Sequence, residues 1–151
     1  LELGSGYPWY KIYSGKVGSS GTFVSIDYHS EIQSRSKKIL YWLNWLMRNK
    51  KENQEELITG DVKNLPFENE TFNVILAGNL TESSMDQWCE ESFRVLKHGG
   101  SIAISFYEIL GLPLYSIIIT GYLKRAGFKN IKWRPGMPGP SGLNWFVSAE
   151  K

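Results

Sequence analysis

An α/β fold with a doubly wound, mostly parallel sheet is predicted by three observations on this 151-residue sequence. Short apolar runs alternate with segments of helical periodicity, the pattern of a parallel sheet covered on both faces. A glycine-rich turn, Gly4-Ser5-Gly6, follows the first apolar run directly. Glycines then recur where predicted helices close, at Gly99-Gly100 and at Gly127, because glycine takes the left-handed conformation at a helix end without steric cost.

Leu1-Glu2-Leu3 is the stub of a first strand, truncated because the apolar run already meets its turn. Pro8 suits the first turn of a short helix ending near Gly15 or Gly18, and Gly21 releases the chain into a second strand, Thr22-Phe23-Val24-Ser25-Ile26. Ser30 and Glu31 resemble a helix start, after which Ile32, Ile39, Leu40, Leu43, Leu46 and Met47 fall on one face. Glu56-Leu57-Ile58-Thr59 reads as a third strand and Phe72 to Ala77 as a fourth, apolar enough to be buried on both faces. Leu65-Pro66-Phe67 between them is a turn segment. A helix from Met85 to Lys97 is expected to close at Gly99-Gly100, before a fifth strand, Ser101 to Phe106. Leu114 to Ala126 forms a further helix, ended by Gly127. Asn130 to Trp133 and Asn144 to Ser148 are two closing strands, joined by a glycine- and proline-rich loop from Pro135 to Gly142.

Composition narrows the function classes. The chain has the length of one domain, residues 1–151, with no internal repeat and no apolar run long enough to span a bilayer. A formal charge of +2 gives no nucleic-acid signal by itself. The cluster Arg35, Lys37, Lys38, Arg48, Lys50 and Lys51 lies along one predicted helix and reads as its solvated face and C-terminal turn. Cys89 is the single cysteine, so neither a disulfide nor a cysteine metal site is available within the chain, and no metal site is expected. A reducing cytoplasm suits it. The triplets Asn69-Glu70-Thr71 and Asn79-Leu80-Thr81 have glycosylation form but follow nothing like a signal peptide.

Glu2-Leu3-Gly4-Ser5-Gly6 is a turn that lets backbone approach a bound nucleotide or nucleoside. A dinucleotide fingerprint would need a third glycine where this chain has Trp9, which weakens a nicotinamide reading. Asp27 ends the second strand roughly 20 residues beyond Gly4, where a carboxylate can accept both hydroxyls of a ribose. The competing reading is a helix cap, a role Ser30 already fills. Tyr28 either lies against an adenine face or packs at the strand end. Gly60-Asp61-Val62 reaches the same sheet edge after the third strand. Asp61 there either accepts from an exocyclic amine, with the Val62 amide serving a ring nitrogen, or is a solvated turn aspartate.

Taken in order, Glu2-Leu3-Gly4-Ser5-Gly6, Ile26-Asp27, Gly60 to Phe67, Phe72-Asn73-Val74-Ile75 and Arg94 to Gly100 resemble the motifs of class I S-adenosylmethionine-dependent methyltransferases. The resemblance is to the small-molecule branch typified by ubiquinone and menaquinone biosynthesis. It extends to Leu123 to Phe128 and to Phe146-Val147-Ser148-Ala149. It implies a Rossmann-like sheet of seven strands, the last antiparallel, with S-adenosylmethionine across the C-terminal strand ends. Glu2, Gly4, Ser5 and Gly6 would then line the methionine end, Asp27 the ribose with Tyr28 beside it, and Asp61 with Val62 the adenine. Asn79 and Leu80 would border the sulfonium and the acceptor. Pro8 stands where a small residue is usual, and Asn73 where aspartate is frequent.

Methyl transfer needs alignment more than a nucleophilic side chain, so no catalytic residue is assigned. His29 and Glu82 lie at the right sheet edge but read as loop residues; His98 lies at the other edge. Gly78-Asn79-Leu80-Thr81 is not the motif of amino-methylating DNA enzymes. Exocyclic-amine methylation of DNA is therefore disfavoured; the resemblance implies a small-molecule acceptor, for which Trp9, Tyr10, Phe106 and Tyr107 offer apolar surface or simply core. Rival readings are a catalytically silent cofactor-binding module and, less favoured, an NAD(P)-dependent oxidoreductase. The resemblance also implies residues before Leu1 that complete the first strand and cover the acceptor; oligomeric state is not legible.

Overall fold

The computed structural model describes residues 1–4, 21–28, 54–78, 80, 84–108, 114–139 and 142–151. They contain a seven-stranded sheet, mostly parallel, whose last strand runs antiparallel to its neighbours. The fold class is the one the sequence predicts. The helices predicted after Pro8 and after Ser30 lie outside the described residues. The chain divides into two compact units, Leu1–Val62 and Lys63–Lys151.

In the first unit, β1 (Glu2–Leu3), β2 (Thr22–Asp27) and β3 (Gln54–Thr59) are parallel, with β2 in the middle. Leu3 pairs with Ile26, and Ile26 with Ile58. Phe23 through Asp27 are all buried, as expected of a parallel strand covered on both sides. That run includes two polar residues, Ser25 and Asp27, and the site begins with them.

In the second unit, β4 (Phe72–Gly78) pairs in parallel with β5 (Leu96–Glu108), which pairs antiparallel with β7 (Gly142–Glu150); β6 (Lys129–Gly139) lies outside β7. Ile75, Ile102 and Ala149 share one face of this ladder with Ala77, Ile104 and Val147, and all six are buried. Two helices, α1 (Met85–Val95) and α2 (Leu114–Ala126), pack together and both touch β5. Met85, Trp88, Cys89, Ser92 and Val95 form the buried stripe of α1 at helical spacing. Gly127, at φ +107, ends α2 as predicted. Its N–H donates to Lys124 O at 3.1 Å and Phe128 N–H to Leu123 O at 3.0 Å, the paired bonds of a Schellman motif. None of the described helices is long and apolar enough to cross a membrane.

Two boundaries differ from expectation. The helix predicted to reach Lys97 stops at Val95, because Leu96 is already extended at ψ 136° and paired with Phe72. The ladder then bulges, resuming at Val74 and Ser101, so Gly99 at φ +74 and Gly100 belong to a strand irregularity instead of a helix cap. The Pro135 to Gly142 segment is almost all strand, with the register broken between Pro135 and Pro138. Proline donates no ladder bond, and β6 tolerates it as an edge strand.

Candidate functional site

The first unit brings the C-terminal ends of three parallel strands side by side, about 4.8 Å apart. Beyond β1, Gly4 turns at φ +74 while its N–H donates to Ile26 O at 3.0 Å. A side chain would be strained in that conformation, so the glycine keeps the strand end bare. Beyond β2, the carbonyl of Asp27 accepts from Gly60 N–H at 3.0 Å, tying the end of β2 to the turn after β3. Asp27 pairs in register with Thr59, which places Gly60, Asp61 and Val62 just past it. The Asp27 side chain is buried, Asp61 and Val62 are half-buried, and Tyr28 is 72% exposed.

Glu2 lies deeper. It pairs with Ser25 across β1 and β2, is 8% exposed, and its carboxylate accepts a hydrogen bond from the Ser25 hydroxyl. Burial holds its carboxyl above the usual carboxylate range. The Ser25 hydrogen bond opposes that rise and the nearby Asp27 charge adds to it. Sequence reasoning did not single out Ser25. The available signal was a serine in an otherwise apolar strand, which must find a partner once both faces are covered.

Glu2, Gly4, Asp27, Tyr28, Asp61 and Val62 thus all stand on one group of neighbouring strands. Ser5, Gly6, Asn79, His29 and Glu82 lie outside the described residues. Leu80 is half-buried and follows β4 in the second unit. His98 lies in the β5 bulge, beyond the N-terminal edge of the paired β4 and β5, 2.9 Å from Glu70. Cys89 is fully buried, and burial pushes its thiol up to about 12, so it is inert as a nucleophile. Among the described residues no group of three or more potential ligands could hold a metal ion.

At these strand ends the described residues carry carboxylates at Glu2, Asp27 and Asp61, and neither lysine nor arginine. Such an environment accepts hydrogen bonds from hydroxyls and amines and favours cationic groups; the described residues place no side-chain cation there for a diphosphate. A cleft of about 580 Å³ in the second unit, lined by Asn69, Glu70, Phe93, Arg94, Arg125 and Lys151, lies at the far end of β4 from Leu80. Its Arg94 and Lys151 are already engaged with protein carbonyls and carboxylates.

The methyltransferase domain family matches residues 1–104. No curated protein matches the chain. Solved structures do resemble it. An S-adenosylmethionine-dependent methyltransferase from Methanosarcina mazei superimposes with a TM-score of 0.74 at 16% identity, covering 100% of this chain and 91% of that one. One from Aquifex aeolicus gives 0.71 at 23% identity, covering 99% and 79%. The 4+2 cyclase SpnF gives 0.73 at 15% identity, covering 100% and 73%. At these identities the likeness is one of fold, and a cyclase among the similar structures shows why chemistry has to be argued from the site.

Proposed function

We propose, from the premise that this chain belongs to the methyltransferase domain family, that its methyl acceptor is a small molecule of the kind handled in ubiquinone and menaquinone biosynthesis. The chain is a class I methyltransferase with S-adenosylmethionine as its cofactor, and we read residues 1–151 as one domain acting in the cytoplasm. The observation that carries the cofactor assignment is the carboxylate set at the strand ends, Glu2, Asp27 and Asp61, with no lysine or arginine among the described residues of that unit.

This donor set fits the cofactor. A buried carboxylate at Glu2, raised by desolvation, favours a nearby cation, and the methionine end of S-adenosylmethionine carries an ammonium and a sulfonium. Asp27 offers two acceptor oxygens for the ribose hydroxyls, beside the bare turn at Gly4. Asp61 accepts from the adenine amine, the Val62 N–H serves a ring nitrogen, and the exposed ring of Tyr28 is available to the base face. By the family resemblance, Ser5 and Gly6 would line the methionine end, and Asn79 and Leu80 would border the sulfonium and the acceptor.

When bound, S-adenosylmethionine supplies the electrophilic methyl carbon. The chain's own contribution is to hold the acceptor in line with it and to exclude water, so catalysis rests on proximity and orientation. No general base is assigned. Calorimetry with S-adenosylmethionine, its demethylated product and NAD tests the cofactor assignment. Binding of the first two without NAD is expected; tight NAD binding with no heat from S-adenosylmethionine would overturn it. Labelled methyl transfer to a panel of small acceptors tests the second half, and binding without transfer to any of them would favour a silent module.

A further inference from the structure

A helix that covers a sheet ordinarily turns a polar face to water. In α2 the buried side is formed by Ser116, Ile119 and Leu123, while Leu114, Ile117 and Ile118 point outward at 51%, 54% and 49% exposure. Gly121, Lys124 and Arg125 continue the same outward stripe at helical spacing, all exposed. The first two turns of that face are therefore aliphatic and the last is cationic, about 10 Å apart along the axis. Trp133 of β6 is 40% exposed and donates from Nε1 to Thr120 Oγ1 at 2.9 Å, which holds the indole against α2. Lys132 and Arg134 flank it in sequence, both exposed, on the alternate face of the same edge strand. From residue 109 to residue 149 the sequence has Lys124, Arg125, Lys129, Lys132 and Arg134 and not one aspartate or glutamate.

We propose that this face, α2 with Trp133 beside it, docks the protein peripherally on an anionic lipid surface. Aliphatic side chains, an interfacial tryptophan and nearby cations are the combination that an acyl-headgroup boundary with anionic lipid rewards. Cations lying off the contact face still contribute, because potentials reach about 8 to 10 Å at ordinary ionic strength. A nucleic acid would use the lysines and arginines but leave Leu114, Ile117 and Ile118 without a role. A second copy docked face to face would set Lys124 and Arg125 against the same cations or against the aliphatic turns of its partner. Residues 109–149 supply no carboxylate to neutralise them, and Glu90, which lines one cleft with Arg125, belongs to α1. The proposal does not depend on the methyl acceptor.

Vesicle flotation of the full chain tests it, with vesicles of phosphatidylcholine mixed with phosphatidylglycerol and of phosphatidylcholine alone. Binding to the anionic vesicles is expected, weaker to the neutral ones and weakened by salt. The double variant Ile117→Ser with Ile118→Ser should bind roughly tenfold less, at unchanged melting temperature, since both residues are already half in water. A second double variant, Lys124→Glu with Arg125→Glu, should lose the preference for anionic vesicles. The proposal is overturned if folded wild-type protein ignores anionic vesicles, or if it binds them equally well with both pairs replaced. A concentration-dependent dimer abolished by the serine pair would assign the face to a second copy. Binding to RNA that ignores the serine pair, with no binding to vesicles, would assign it to nucleic acid.

Discussion

Ser25 Oγ donates a 2.5 Å hydrogen bond to Glu2 Oε2, joining two buried side chains that are register partners across β1 and β2. Burial, the largest influence on Glu2, raises its folded-state pKa above its ordinary value. A raised folded pKa means that the stability contribution is whole below the unfolded pKa and is lost as pH rises through the folded one. Glu2→Gln keeps an oxygen for Ser25 and removes the charge. The variant is therefore expected to match or exceed wild-type stability at neutral pH, by about 1 kcal/mol, with a flatter melting-temperature profile above the ordinary carboxylate range. Its affinity for S-adenosylmethionine should fall, because the cofactor's cation loses its counter-charge. Thermal melts across pH and calorimetry check both halves; a destabilised variant with normal affinity would make Glu2 purely structural.

Asp27→Ala separates binding from folding at the next strand. The backbone carbonyl of Asp27, which accepts from Gly60, survives the change, so the turn after β3 should stay in place. Loss of about 1 to 3 kcal/mol in cofactor affinity is expected, the cost of leaving buried polar partners unmatched, with little change in the melting temperature of the cofactor-free protein. A sharp fall in melting temperature at unchanged affinity would make Asp27 a structural residue and remove it from the ribose site.

Arg94 is expected to be worth more to stability than any cofactor-site residue. Its Nε donates to Glu91 Oε1 and its Nη2 to Glu91 Oε2, both at 2.7 Å, while Nη1 donates to Phe67 O and Asn69 Oδ1 and Nη2 also to Leu65 O. Glu91 in turn accepts from Leu65 N–H at 2.8 Å, so the pair fastens the segment after β3 to α1. Arg94→Ala should cost about 2 to 3 kcal/mol, and Arg94→Lys should not restore it, because lysine cannot make the paired fork. The Arg94 hydrogen bonds hold the Glu91 carboxyl below the usual range. A depressed folded pKa gives stability that is present above the unfolded value and is lost as pH falls through the folded one. Wild type should therefore lose melting temperature in acid more steeply than Arg94→Ala, by an amount reduced by solvent access to the pair. Parallel acid limbs in the two proteins would exclude this origin.

What the sequence made legible was local. The end of the helix Leu114 to Ala126 was legible because a glycine follows it, where the N–H groups of Gly127 and Phe128 close on Lys124 O and Leu123 O, and Gly4, Asp27 and Asp61 were legible as strand-end residues because period and punctuation placed their strands. What it hid was set by register. Helical spacing runs on through Lys97, but Phe72, far away in sequence, captures Leu96 into the ladder and ends the helix there. Prolines at 135 and 138 read as a loop until β6 is known to be an edge. Ser25 and Arg94 gained their roles only when β1 met β2 and when the 65–69 segment met α1.

The bulge at Gly99 and Gly100 yields the last expectation, since a helix cap and a strand bulge make opposite demands on the two glycines. In a cap, the residue in the left-handed conformation is the sensitive one, and that would be Gly99 at φ +74. In the bulge, a methyl group at Gly99 meets nothing within 4 Å, so Gly99→Ala costs only backbone strain, about 1 to 2 kcal/mol. A methyl group at Gly100 would lie 2.9 Å from Asn73 O, 2.9 Å from Lys97 O and 2.8 Å from Leu96 Cγ. Two of those three are backbone oxygens, and neither can retreat without opening the ladder on which Phe72 holds Leu96. Gly100→Ala should therefore cost more than Gly99→Ala, about 2 to 4 kcal/mol, and denaturant unfolding of the two single variants measures the order directly. If Gly99→Ala proves the more damaging, the helix extends to a glycine cap after all and the register between β4 and β5 at Leu96 is wrong.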